Sequence, residues 1–171
     1  AAERPDQDPG KLLWLPSTML AKTYDHRLHE QKLYQFWEEM GAFNPDRHPN
    51  SANQTQTFTI IMPPPNANDP LHLGHAMFVA VEDIMIRFQR MRGKDTLWLP
   101  GTDHAGIETQ FVFEKKLQKE GKSRFDFDRQ SLYQQIWDYV QTNSNVAVDQ
   151  IKKLGASADW SRFKFTLDKD I

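Results

Sequence analysis

Cysteine is absent from the 171 residues, which excludes a disulfide framework and fits a reducing compartment. An excess of one charge is missing too. Lys and Arg number 21 against 23 Asp and Glu, a formal net charge of −2, so the chain has no electrostatic footprint for nucleic acid. No apolar run approaches the about 18 residues of a membrane span, and no signal peptide leads the chain. A cytoplasmic protein with no membrane partner is the expectation. What is present, 39% apolar residues, suffices for one core of ordinary size.

The informative stretch runs Pro63-Pro64-Pro65-Asn66-Ala67-Asn68-Asp69-Pro70-Leu71-His72-Leu73-Gly74-His75. A strand-like run, Thr57 to Met62, precedes it, and a helical pattern follows from about Gly74 to Arg92. His72, Gly74 and His75 are therefore expected where a strand's carboxyl end gives way to a helix's first turn. Unsatisfied backbone N–H groups and the positive end of the helix dipole suit that place to anions. Imidazoles three residues apart share a helix face, and Gly74 between them admits a phosphate close to the backbone. Three prolines stiffen the strand exit, and Asn66, Asn68 and Asp69 supply turn residues. Two other readings compete: half of a metal site, or two solvated surface histidines. Metal is disfavoured by the lack of cysteine and by the spacing of Asp69, Glu82 and Asp83, which does not give His-Glu-x-x-His.

A second block repeats the order of elements. Asp95 to Leu99 reads as a short buried strand, Pro100-Gly101-Thr102-Asp103-His104-Ala105-Gly106 as a loop, and a helix begins near Ile107. Two such units in tandem predict a parallel sheet, with both loops facing one crevice at the carboxyl ends of the strands. An acid beside a bound nucleotide suits an ammonium group better than a phosphate, which gives Asp103 one reading; a helix N-cap is the other.

Taken in order, Pro63-Pro64-Pro65-Asn66, Leu71-His72-Leu73-Gly74-His75 and Arg92-Gly93 through Asp103-His104-Ala105-Gly106 resemble the amino-terminal half of the catalytic domain of class I aminoacyl-tRNA synthetases. Within that class the resemblance is greatest to the valine enzymes. It extends from Lys22-Thr23-Tyr24 through Phe36-Trp37-Glu38 to Asp159-Trp160-Ser161-Arg162-Phe163 and ends near Asp168. The resemblance implies an α/β, Rossmann-like nucleotide-binding fold with a parallel sheet and flanking helices. Only its first half is expected here, over residues 22–171, behind a flexible lead of residues 1–21. It also implies ATP, with Mg2+ as part of the substrate, and valine and tRNA(Val) as partners of a monomeric enzyme, with no metal bound by the protein itself. His72 and His75 are then the catalytic pair, His72, Gly74 and His75 bind ATP, and Pro64, Asn66 and Asp103 bind the amino acid. An apolar pocket rejects an added hydroxyl poorly, so enzymes of this kind need editing.

The chain departs from the family pattern in places. Ala67-Asn68-Asp69 stands where valine enzymes usually carry Val-Thr-Gly, and the Ala-Asn pair is closer to the isoleucine enzymes. Asp69 in place of glycine demands a different turn. Glu108 occupies a position where a small residue is commoner. No Lys-Met-Ser-Lys-Ser-type loop, editing domain or anticodon-binding domain occurs in these residues, so a fragment of a longer enzyme is expected, not fully active alone. Isoleucine specificity, a nucleotidylyltransferase using the same His-x-Gly-His element, and a stand-alone ATP-binding relic are the alternatives.

The remainder reads as scaffold. Asp25 caps a helix reaching Met40, with Leu33, Phe36, Trp37 and Met40 as its apolar stripe and Gly41 as its stop. Pro45 to Gln56 reads as a polar loop. A helix from Asp128 to Leu154 carries Leu132, Ile136, Val140, Ala147, Ile151 and Leu154 on one face, with Asn143 to Asn145 predicted to kink or split it. Lys115, Lys116 and Lys122 read as a solvated face, and Trp160 to Thr166 as an edge strand.

Overall fold

The computed structural model describes residues 22–47 and 56–171. The expected lead at 1–21, and all but the ends of the loop expected over 45–56, lie outside the described residues. The described chain forms α1 (His26–Glu39), β1 (Thr57–Ile61), α2 (Leu73–Met91), β2 (Asp95–Leu99), β3 (Gly101–Thr102), α3 (Gly106–Lys119), α4 (Arg129–Lys153) and β4 (Lys164–Phe165), with short 3-10 turns between them.

The strands are parallel, as the tandem units require. β1 pairs with β2 from Thr57 opposite Asp95 to Ile61 opposite Leu99, and β3 pairs with β4. The two ladders meet along the extended run 95–103. Leu99 and Asp103 offer their carbonyls to the β1 side, to Met62 and Ala67, while Pro100 and Thr102 offer theirs to Lys164 and Thr166. One central run thus carries a neighbour on each edge.

Beyond Ile61 the pairing slips by one residue. Asn66 is the bridge partner of Asp103, so four residues, Met62 to Pro65, lie opposite three, Pro100 to Thr102. The cause is chemical: Pro63, Pro64 and Pro65 have no N–H, so the ladder cannot continue through them and resumes after a bulge. Burial changes phase there. Before the bulge the even residues Phe58, Ile60 and Met62 turn inward, and after it the odd residues Pro65 and Ala67 do so. Asn66 is thereby left on the open side.

The helices are set by their caps. Asp25 and Asp128 accept backbone N–H bonds at the starts of α1 and α4, and Gly41 and Gly155 take positive φ where those helices stop. α2 and α4 share one core with the sheet, built from Val79, Ile86, Trp98 and Ile151 around Met62. The front half of α4 closes a second cluster of Ala67, Val140 and Phe165 with Trp137. Burying a side chain of this size stabilises by about 1.5–3 kcal/mol, so the fully covered Trp98, Met62 and Ile86 anchor the sheet.

Four expectations need correction. α4 is not split at Asn143 to Asn145 but runs unbroken over Arg129–Lys153. Asn143 donates to the carbonyls of Tyr139 and Asn68, and Ser144 bonds Thr102, so these polar groups find partners without breaking the helix. Leu154 is the C-cap and is exposed rather than core. In α1, Leu33, Phe36 and Met40 are exposed, and the buried residue is Tyr34. A hydroxyl explains the difference: Tyr34 donates to the Ala156 carbonyl at 2.6 Å and accepts from Trp160 Nε1 at 2.6 Å, which pins α1 to the segment after α4. Burial pushes the Tyr34 phenol well above its ordinary range. Trp160 to Thr166, read as a strand, begins with a 3-10 turn, and only Lys164–Phe165 is extended and paired.

Candidate functional site

His72 is the N-cap of α2, with extended backbone, and its ring does the capping. His72 Nδ1 accepts from the Gly74 N–H at 3.0 Å, and His75 Nδ1 accepts from the His72 N–H at 3.2 Å. The arrangement is a capping box made of two imidazoles whose centroids lie 4.1 Å apart. Two N–H groups expected to face an anion are therefore already taken. The same bonds fix the rings: a nitrogen that accepts an N–H carries no proton, so each neutral imidazole bears its proton on Nε2. The site presents imidazole donors in place of bare backbone. His75 is held below the ordinary histidine range, first by burial and then by the neighbouring His72, which keeps it in the neutral form this geometry needs.

Gly74 has a reason beyond the one its position suggested. A Cβ there would lie 2.9 Å from His72 Cε1 and 3.0 Å from His72 Nδ1, so the missing side chain makes room for the capping ring.

Between the bulge and α2, the loop 66–72 is tied to α4. Tyr139 donates to the Asn68 carbonyl at 2.6 Å, and Gln150 Oε1 accepts the Leu71 N–H at 2.7 Å. Among the described non-glycine residues only Ala105 takes positive φ, so Asp69 turns the chain without the left-handed backbone that a glycine would allow. A cavity of about 380 Å³ opens between this loop, α2 and α3, and Asn66, Asp69, His72, His75, Glu108 and Phe111 lie on its wall.

Asp103 stands beside that cavity without lining it. It is not the N-cap of α3; Ala105 is, at φ 48° and with no side-chain bond. Three contacts converge on Asp103 Oδ1: the Ala105 N–H at 3.1 Å, the Thr166 hydroxyl at 2.9 Å and His104 Nδ1 at 3.2 Å. Burial alone would raise its pKa, but the bonds from Ala105 and Thr166 and the neighbouring His104 outweigh it and hold the carboxyl below its ordinary range. Asp103 is thus kept ionised, with its contacts gathered on one oxygen.

The structure accordingly brings Asn66, His72 and His75 to one cavity and pairs Asp103 with Asn66 across the bulge. Pro64 is exposed within the bulge and absent from the cavity wall. Sequence reasoning missed Thr166, which bonds both Asp103 and His104 from the turn just after β4, and it missed what Glu108 does: Asn66 Nδ2 donates to Glu108 Oε2 at 2.5 Å. No local pattern marks Thr166, whereas a carboxylate in the first turn of a crevice-facing helix was a signal for Glu108. The lysines behave as expected: Lys115 and Lys116 lie exposed over the Phe111 and Tyr139 rings, and Lys122 pairs with Glu120. No described helix is long and apolar enough to cross a membrane.

Comparison with known proteins agrees with this fold. The family model of the class I tRNA synthetases (I, L, M and V) matches residues 32–171. A valine--tRNA ligase of Treponema denticola is 42% identical over 157 residues, covering 92% of this chain and 17% of that protein. The chloroplastic/mitochondrial valine--tRNA ligase 2 of Arabidopsis thaliana is 49% identical over 151 residues, covering 88% of this chain and 15% of that protein. The chain thus spans about a sixth of the length of these curated relatives. A solved ternary complex of LeuRS, tRNA and LeuAMS from Agrobacterium radiobacter superposes with a TM-score of 0.63 at 22% identity, over 85% of this chain and 16% of that one, and so shares its fold. An α/β structure with parallel strands, two imidazoles capping the helix that follows the first strand, and a family match over most of the residues lead to one conclusion: the chain belongs to the class I tRNA synthetases of the isoleucine, leucine, methionine and valine group.

Proposed function

We propose that this chain supplies the ATP- and amino-acid-binding part of a valine--tRNA ligase, with residues 22–171 forming the first half of the nucleotide-binding domain. The observation that carries the reading is the pair of capping imidazoles on the wall of the cavity that Asn66 also lines. In the reaction the valine carboxylate attacks the α-phosphorus of ATP. A new O–P bond forms and the bond to the leaving pyrophosphate breaks. Such chemistry asks a protein for positioning and for donors aimed at the growing negative charge. Neutral His72 and His75, protonated on Nε2, are suited to donate to the phosphate oxygens. Mg2+ would arrive with ATP. Ionised Asp103 suits the α-ammonium of the substrate, with Asn66 beside it as bridge partner. Relatives named valine--tRNA ligase support valine as the amino acid. Transfer to tRNA(Val), a monomeric state and a cytoplasmic location belong to the same reading.

The test is amino-acid-dependent exchange of pyrophosphate into ATP by the full-length protein, with valine, isoleucine and threonine compared. Exchange strongest with valine is the expected result. Isoleucine in first place would favour the specificity suggested by Ala67-Asn68. ATP binding without any amino-acid-dependent exchange would point to a nucleotide-binding module or a nucleotidylyltransferase.

A further inference from the structure

Glu108 belongs to the first turn of α3, is exposed, and lies on the cavity wall with Asn66, His72 and His75. A surface carboxylate at the start of a helix has a simple role in favouring the helix dipole. Here it does something more particular. The 2.5 Å bond to Asn66 Nδ2 spans 42 residues of sequence and joins α3 to the loop before α2. An ionised carboxylate only accepts, so the Asn66 amide must present its nitrogen to Glu108 and turn Oδ1 away from it. The Asn66 backbone is held independently, because its neighbours Pro65 and Ala67 exchange bonds with Asp103. With main chain fixed by the bulge and amide fixed by Glu108, the side chain keeps a single orientation.

We propose that Glu108 is a positioning residue for amino-acid selection: it locks the Asn66 amide, on the residue whose backbone bridges to Asp103, so that its oxygen faces the bound amino acid. The proposal rests on the reading of this cavity as the activation site. It assigns Glu108 no contact with the reacting atoms. Glu108→Gln retains an acceptor for Asn66 Nδ2, whereas Glu108→Ala frees the amide to turn.

The test is pyrophosphate exchange by the full-length protein and its Glu108→Ala, Glu108→Gln, Asn66→Ala and double-alanine variants. A charge-assisted hydrogen bond of this kind corresponds to about a tenfold effect. Glu108→Ala and Asn66→Ala are each expected to raise the KM for the amino acid about tenfold while the KM for ATP stays within about twofold. The double variant should be no worse than either single one, and Glu108→Gln should lie close to the parent. Effects that multiply in the double variant, an unchanged KM in Glu108→Ala, or parallel changes in both KM values would overturn the lock. A parent protein with no amino-acid-dependent exchange refutes the functional reading instead. The lock is then decided by thermal unfolding, where non-additive midpoints for the same two alanine substitutions sustain it and additive ones reject it.

Discussion

Replacing Asp103 by Asn separates what the carboxylate does for the fold from what it does for a ligand. In the fold Asp103 Oδ1 accepts from the Ala105 N–H at 3.1 Å and from the Thr166 hydroxyl at 2.9 Å. An amide oxygen accepts both, so Asp103→Asn keeps them and loses the charge facing His104. That pair is more than a third exposed on both sides, and solvent reduces its worth to a fraction of a kcal/mol. The unfolding midpoint of Asp103→Asn should therefore fall by no more than about 2 °C. Asp103→Ala removes both retained bonds and leaves the Ala105 N–H to water, at a cost of about 1–3 kcal/mol and several degrees. Binding should show the opposite sensitivity. An ammonium bound to a carboxylate loses about 1.5–3 kcal/mol when the charge goes, so the KM for valine should rise roughly ten- to hundredfold in Asp103→Asn, with the KM for ATP nearly unchanged. Calorimetric unfolding and pyrophosphate exchange with each substrate varied in turn give both numbers. Equal rises in the two KM values, or a midpoint as low in Asp103→Asn as in Asp103→Ala, would refute the assignment.

Three further outcomes are expected. His72→Asn keeps a side-chain acceptor at the N-cap of α2 and should unfold near the parent's midpoint, whereas His72→Ala should lose about 1 kcal/mol; both should weaken ATP use, and normal ATP kinetics in either would remove the imidazole from the phosphate site. The folded-state pKa of His75 is depressed, so the unfolded chain binds its proton more readily; the contribution is complete above the ordinary histidine value and is lost as pH falls from there through the lowered value. Urea titrations across that window should show a loss of stability that His75→Gln lacks, and identical pH slopes would contradict the cap geometry. Tyr34→Phe should destabilise by about 1–3 kcal/mol, because the Ala156 carbonyl and Trp160 Nε1 both lose a buried partner; a midpoint within about 1 °C of the parent would show that water replaces the hydroxyl.

Those outcomes draw on features of unequal visibility in the sequence. α1 and α4 were legible from end to end because their boundaries are local chemistry: Asp25 and Asp128 at the starts, Gly41 and Gly155 at the stops. β1 and β2 were legible as apolar runs. β3 and β4 are two residues each, too short for any periodicity, and are held by a register that exists only once the central run is in place. Reading α1 from its apolar stripe missed Tyr34, because what buries it is a pair of hydrogen bonds to residues more than a hundred positions away. At the candidate site the sequence singled out His72, His75 and Asn66, which the structure sets on one cavity wall. It did not reveal that the imidazoles cap the helix themselves, that Gly74 makes room for one of them, or that Thr166 holds Asp103. Each of those facts depends on which atom of a side chain faces which neighbour.

The bulge at the proline run also decides where the length of this chain is free to vary. Four residues between Ile61 and Asn66 lie opposite three between Leu99 and Asp103. Deleting one of the four makes the two runs equal, and Asn66 still lies across from Asp103 on the open side. Inserting one residue into the shorter run also makes them equal, but an even number of residues still separates Ile61 from Asn66, so a regular ladder would turn both polar side chains toward the core. Gaps in the proline run and insertions after Leu99 are therefore not equivalent events. Among natural variants of this site, shortened proline runs should be found and lengthened Pro100–Thr102 runs should not.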